Sequence, residues 1–273
     1  MSRPRLTQVD LPDFGMPDAM PEIPDTVYTS RLQRLQSRMA DAGYERLLVF
    51  SDREHSASMS YLTGFDPRFE EAMLIVAPDG NPLVLVGNEC VGMAAAAPLD
   101  MRVELFQDFS LPNQPRHRSR TLVEILDGEG IGAGCNVGVV GWKTYVRPTM
   151  LDGPAYLIDE LRTITGDPGF VRNATGLLID PGDGQRVINE IEQLAFFEWA
   201  ACQTSQGVRN LLFGLEPGMT EREAVRLLQW NGMPLSCHLM LTAGEQASLG
   251  LLSPGDRPIE RGDRFTVAFG IWG

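Results

Sequence analysis

The chain has 273 residues, 43% of them hydrophobic and 22% charged, a balance that allows a sizeable buried core and excludes disordered and fibrous classes. The formal net charge of −13 argues against a nucleic-acid partner, because phosphate binding requires clustered basic side chains. The first 24 residues contain no apolar run, so we expect neither a signal peptide nor a membrane anchor.

Residues 1–27 are predicted to form an extended arm. Prolines interrupt any helix in this segment, at Pro4, Pro12, Pro17, Pro21 and Pro24. The pattern is compatible with a disordered tail and with a segment that lies across a partner subunit. A helix is then predicted from residues 29–30 to Gly43, because leucine and methionine recur there at helical spacing.

Strands and helices are predicted to alternate over residues 28–180. Residues 46–50 form a short apolar run, which is typical of a strand. Residues 72–78 and 82–87 are strand-like and are joined by Asp-Gly-Asn, a strong hairpin signal. Two helices, 92–98 and 119–128, and a buried strand, 136–142, complete the pattern, which indicates an α/β N-terminal domain.

A turn-rich segment, residues 176–186, is predicted to end this domain, and a second domain is expected over residues 187–273. Residues 187–214 read as one amphipathic helix, with a buried stripe of Ile188, Ile191, Leu194 and Ala195. Thr220 and Glu223 form a capping box at the start of a helix that is expected to reach about Trp230. Residues 238–244 and 264–270 are predicted strands.

Three stretches resemble the creatinase/prolidase/aminopeptidase P (pita-bread) family. The first, residues 30–50 with 60–87, contains the sequence Tyr-Leu-Thr-Gly-Phe ahead of the predicted hairpin. The second, 189–224, includes a Pro-Gly-Met-Thr-Glu turn, and the third, 241–270, resembles the loop before the family's first metal-binding strand. The resemblance implies an α/β N-terminal creatinase-like domain followed by the start of a pita-bread α+β domain.

The family places a catalytic histidine and five metal ligands in a bowl-shaped sheet, where two divalent ions activate water. By resemblance, the histidine position is Leu251, counted from Gly244, and the position of the first metal-ligand aspartate is Ala268, counted from Asp263. Neither side chain binds a metal or moves a proton. We therefore expect no cofactor within this chain, and Mn, Zn or Co only if residues outside it complete the site.

The family's remaining ligands would lie beyond residue 273, and the chain stops within a strand pattern, so we expect a fragment of a longer protein. Because family members are commonly dimers, we also expect a homodimer. The four cysteines are scattered without a CxxC motif, which favours reduced thiols and a cytoplasmic location.

Two groups of residues are candidates for substrate contact. Among the three histidines, His238 lies on the strand that leads toward the bowl, although a hydrogen-bonded structural histidine is the favoured interpretation. Arg68, Glu70 and Glu71 lie at the edge of the N-terminal domain, which in the family reaches the neighbouring subunit's pocket. There the two acids could meet a cationic group, or they could form a solvated strand end.

The resemblance implies a hydrolase of the creatinase or Xaa-Pro aminopeptidase type, which would cleave a C–N bond of a small amide or peptide without the usual dinuclear metal site. The alternative is a non-catalytic pita-bread binding module. We expect a small-molecule or peptide partner, and neither nucleic acid nor membrane.

Overall fold

The computed structural model describes residue 10, residues 15–250 and residues 252–273. It divides into two compact units, one formed by Pro24–Asn189 and the other containing Glu190–Gly273. Residues 1–9 and 11–14 of the predicted N-terminal arm lie outside the described residues, so the conformation of that part stays a prediction. The first helix begins at Asp25, earlier than expected, because Pro24 supplies the extended residue that precedes the first helical turn.

The N-terminal unit is built on a six-stranded mixed sheet of order β4-β3-β2-β1-β5-β6. The strands are β1 (Arg46–Ser51), β2 (Ala72–Val76), β3 (Leu83–Val86), β4 (Arg102–Leu105), β5 (Val137–Val140) and β6 (Val171–Asn173). The predicted hairpin is confirmed, since β2 and β3 pair antiparallel. β1 pairs antiparallel with β2 on one side and parallel with β5 on the other.

Helices cover this sheet, and their bounds are α1 (Asp25–Asp41), α2 (Ala57–Thr63), α3 (Val91–Ala95), α4 (Leu122–Gly128), α5 (Ala155–Thr165) and α6 (Gly176–Ile179). α4 and α5 pack on the face toward which Leu48 and Phe50 of β1 point, and they share a buried cluster with Met73 and Ile75 of β2. The predicted helices at 92–98 and 119–128 are confirmed as α3 and α4. The short strands β4 and β6 and the helices α2, α5 and α6 were not predicted.

The segment predicted as a domain boundary is tied to the N-terminal unit. The side-chain amide of Gln185 donates to the carbonyl of Arg31, and the hydroxyl of Tyr61 donates to the carbonyl of Gln185. Arg31 is fully buried, and its guanidinium lies 4.1 Å from the centroid of the Tyr61 ring. These contacts hold the end of the unit against α1 and α2.

The second unit contains α7 (Ile191–Gly214), α8 (Glu221–Arg226) and the antiparallel pair β7 (Met240–Ala243) and β8 (Phe265–Ala268). The two predicted strands are confirmed, and so is the capping box of Thr220 and Glu223. α8 ends at Arg226 and not near Trp230, because the chain turns through Gln229 and Asn231, both of which have positive φ.

The predicted buried stripe of the long helix is wrong. Ile188, Ile191, Leu194 and Ala195 are exposed, while the buried residues of α7 are Gln193, Ala200, Gly207 and Leu211. The reason is that α7 approaches Phe269 and Leu228 closely at Gly207. A Cβ at this position would lie 2.7 Å from the Phe269 ring and 2.8 Å from the Leu228 carbonyl oxygen. The inner face of α7 is therefore made partly of small residues, and the apolar stripe points away from this core.

Within the described part of the chain, no helix is both long enough and apolar enough to cross a membrane.

Candidate functional site

The strand face that carries position 268 consists of neutral side chains. Leu241, Ala243, Phe265 and Val267 belong to the core cluster of this unit. Alternation along a strand therefore turns Met240, Thr242, Thr266 and Ala268 to the other face. Met240 lies opposite Ala268, and Thr242 lies opposite Thr266. This face carries two hydroxyls, a thioether and a methyl group, and no carboxylate or imidazole.

A dinuclear metal centre, which the fold implies, does not fit this face. The Thr242 hydroxyl is buried without a hydrogen-bond partner, but a neutral hydroxyl is a weak ligand for the hard divalent ions that such centres use. Nowhere in residues 15–250 and 252–273 do three or more His, Cys, Asp or Glu side chains form a group that could hold a metal ion. Leu251, the expected histidine position, lies outside the described residues.

His238, the candidate of the second unit, lies two residues before β7 and is exposed, as is the neighbouring Cys237. Its proposed contact with substrate stays a prediction.

The three candidates of the N-terminal unit lie at one edge of the sheet but face different surroundings. Arg68 is exposed and has a positive φ of 61°, and its guanidinium Nε lies 3.6 Å from a carboxylate oxygen of Asp66. Glu70 is only 2% exposed and accepts hydrogen bonds from the amides of Glu89 and Cys90. The carboxylate of Glu70 is thus engaged with the backbone at the start of α3.

Glu71 is half-buried and directed toward α5. The hydroxyl of Tyr156, at the first turn of α5, hydrogen-bonds the Glu71 carboxylate. The β1–β2 register, in which Ser51 lies opposite Ala72, places Asp52 opposite Glu71 one step beyond the ladder. Burial raises the pKa of Glu71, and the negative charge of Asp52 raises it further.

Asp52 belongs to a second set of contacts at the same edge. Its Oδ1 accepts hydrogen bonds from the amides of Glu54 and His55, at 2.9 and 2.8 Å. The Nδ1 atom of His55 lies 2.9 Å from the same oxygen, and the His55 ring stacks on Trp142 with centroids 3.9 Å apart. The chain thus brings Glu71 together with an aspartate, a histidine and a tryptophan.

Sequence reasoning did not assign Asp52, His55, Trp142 or Tyr156 to a site. A usable signal was present, because Asp52 comes two residues after the predicted strand 46–50 and Trp142 is the last residue of the predicted strand 136–142. Side chains at the carboxyl ends of neighbouring parallel strands meet at one edge of the sheet. The signal was missed because the parallel pairing of β1 with β5 is not visible in the sequence.

The comparisons with known proteins agree with this architecture. Residues 31–152 match the family of Creatinase/Prolidase N-terminal domains. No curated protein sequence matches the chain. Among solved structures, prolidase from Pyrococcus furiosus is 18% identical, with a TM-score of 0.63 over 88% of this chain and 66% of that one.

Two further solved structures match to a similar degree. Prolidase from Pyrococcus horikoshii OT3 is 16% identical with a TM-score of 0.63, over 89% of this chain and 60% of that one. Dipeptidase PepE from Mycobacterium ulcerans is 18% identical with a TM-score of 0.61, over 94% of this chain and 62% of that one.

The chain spans about three fifths of the length of Pyrococcus horikoshii OT3 prolidase and of Mycobacterium ulcerans PepE. The side chains of β7 and β8 that share a face with Ala268 are neutral. This chain thus carries a Creatinase/Prolidase N-terminal domain over residues 31–152.

Proposed function

We propose that this protein is a creatinase/prolidase-type hydrolase that cleaves a C–N bond of a small amide or peptide without a dinuclear metal centre. The observation that carries the proposal is the fold, which is similar to those of two prolidases and a dipeptidase over 88–94% of the chain. A small-molecule or peptide substrate fits the negative charge of −13 better than a nucleic acid does.

The absence of a metal centre is supported by the side chains around position 268. A methyl group at Ala268 and a thioether at Met240 cannot hold a divalent ion or a metal-bound hydroxide. No step of the proposed hydrolysis is therefore assigned to this pair of strands beyond shaping a neutral surface.

A second candidate function, a non-catalytic binding module, is favoured by the same face. Met240, Thr242, Thr266 and Ala268 form a strand face without a titratable group, which supplies no general base or nucleophile. A binding role requires neither of these groups.

The experiment is an amine-release assay of the protein produced from its complete gene. Ala-Pro, Leu-Pro and creatine serve as substrates, before and after treatment with a chelator, and Pyrococcus furiosus prolidase is the positive control. The proposal expects release that the chelator does not change, together with a metal content far below one ion per chain. Release that requires added Mn²⁺ would overturn the metal-free mechanism, and no release from any substrate would favour the binding module.

We also propose a cytoplasmic homodimer. The support is the family resemblance and four cysteines that form no disulfide among the described residues. Light scattering coupled to size-exclusion chromatography tests the dimer, for which the measured molar mass should be twice that of one chain. A monomer at micromolar concentration would contradict it.

A further inference from the structure

The outward face of α7 is largely apolar. Its residues recur at three- and four-residue spacing and lie on the side of the helix opposite the buried Ala200, Gly207 and Leu211. Four of them are large apolar side chains that are 52–77% exposed: Ile191, Leu194, Leu212 and Phe213. An apolar face of this kind on a folded protein marks a contact with another surface.

The middle of this face is built of small side chains. Ala201 and Ser205 are exposed, and Cys202 is partly exposed. The distance at which two helices pack is set by the side chains at their contact, and small side chains permit a close approach. The large apolar side chains lie near the two ends of the face. The face is thus shaped for a second helix that crosses α7 near its middle.

Two charges lie on the same face, one on each side of its middle. Glu198 and Arg209 are separated by about three helical turns, so they lie almost in line along α7. Within the described part of the chain neither side chain takes part in an ion pair, and the Arg209 guanidinium lies 5.6 Å from the centroid of the Phe213 ring. The two charges cancel, although the whole chain has a net charge of −13. Two copies of this acidic chain can therefore approach each other through this face with little repulsion.

We propose that this face binds a second copy of the same chain, with the two α7 helices antiparallel about a twofold axis. An axis midway between Glu198 and Arg209 sets Glu198 of one copy against Arg209 of the other, and the symmetry repeats the contact. The same register sets Leu194 against Phe213. A parallel pair in register would instead place like charges together, so the charges select the antiparallel orientation.

This inference rests on the proposed homodimer and names the surface that forms it, and it does not depend on hydrolase activity. One helix face from each copy is smaller than a standard interface, so we expect a dissociation constant of roughly 1 µM. Denaturation of protein that is diluted well below this concentration then reports the stability of the single chain.

The test is sedimentation equilibrium of the full chain at physiological ionic strength. Glu198→Arg and Arg209→Glu each place like charges across the axis, and each should raise the dissociation constant at least about tenfold. The double variant restores opposite charges and should return the constant to within about threefold of the wild-type value. Glu260→Arg, at an exposed position of the same unit, is the matched control with the same change of charge and should leave the constant unchanged.

Circular dichroism checks that each variant is folded. A wild-type chain that stays monomeric about a hundredfold above the expected dissociation constant would overturn both the homodimer and this face. Three results would overturn this face and leave the homodimer standing: a dimer that neither single reversal weakens, a double variant as weak as the single ones, or an equal loss in Glu260→Arg.

Discussion

Glu70 and Glu71 are neighbours in the chain, but their carboxylates lie on opposite faces of the N-terminal sheet. Glu70 accepts hydrogen bonds from the amides of Glu89 and Cys90, whereas Glu71 contacts Tyr156 at the start of α5. The separation follows from strand geometry, because successive side chains point to opposite faces. Two acids that look equivalent in the sequence therefore have different roles.

Replacement of these two acids should have opposite consequences for stability. Glu70→Gln puts an N–H group where the backbone amides need an acceptor, so the free energy of unfolding should fall by about 1–3 kcal/mol. Glu71→Gln, the matched variant, should leave stability unchanged or raise it, because it removes the repulsion from Asp52. Urea denaturation measures both, and equal losses in the two variants would contradict the assignment.

The raised pKa of Glu71 predicts a pH dependence of stability. Burial and Asp52 hold the pKa of Glu71 above 4.5 in the folded protein, so the folded state binds the proton more tightly than the unfolded state does. The contribution of Glu71 to the free energy of unfolding is therefore fully present below pH 4.5, and it is lost as the pH rises through the pKa of the folded state. Thermal unfolding of wild type and Glu71→Gln between pH 4 and pH 8 should show a smaller decline for the variant, and parallel curves would contradict this prediction.

The thiol of Cys90 should react more slowly than the thiol of Cys237. Burial raises the pKa of Cys90 to about 12, and the carboxylate of Glu70 raises it as well. At pH 8 its thiolate fraction is then lower by roughly a thousandfold than for an ordinary thiol. Cys237 is exposed. Iodoacetamide labelling followed by peptide mass analysis should modify Cys237 first, and equal rates in the folded protein would refute the prediction.

The capping box of α8 should contribute measurably to the second unit. The Thr220 hydroxyl accepts from the amide of Glu223, while the Glu223 carboxylate accepts from the amide of Thr220. Thr220→Ala should lower the unfolding free energy by about 1 kcal/mol. Thr163→Ala is the control, since the Thr163 hydroxyl on α5 donates a hydrogen bond to the Asp159 carbonyl within the same helix and caps no helix end. A loss in the control as large as that in Thr220→Ala would show that capping is not the cause.

The corrected orientation of α7 is testable with two leucines of the same helix. Leu211 is fully buried and Leu194 is 52% exposed. Leu211→Ala should cost about 2–5 kcal/mol of stability, and Leu194→Ala should change it by less than about 0.5 kcal/mol. Chemical denaturation gives both values. A larger loss in Leu194→Ala than in Leu211→Ala would instead support the buried stripe that was predicted from the sequence.

Much of the fold was predictable because its signals are local. The β2–β3 hairpin is encoded by two apolar runs and an Asp-Gly turn, and the start of α8 is encoded by the spacing of Thr220 and Glu223. The assignment of Ala268 to the position of the family's first metal ligand also came from the sequence, by counting from Asp263, and it stays a prediction.

The tertiary structure decided what depends on residues far apart in the chain. The buried face of α7 follows from the approach of Gly207 to Phe269, a contact between positions that no helical periodicity relates. The parallel pairing of β1 with β5 brings Asp52 and His55 to Trp142, about ninety residues later, and the β1–β2 register sets Asp52 against Glu71. The sequence by itself determined the β2–β3 hairpin, the helices α1 and α7 and the capped start of α8, because propensity, turns and caps act over a few residues. It did not reveal the short strands β4 and β6 or the helices α2, α5 and α6. Only the packed structure decided which side chains meet, because strand order and helix contact depend on burial of the whole unit.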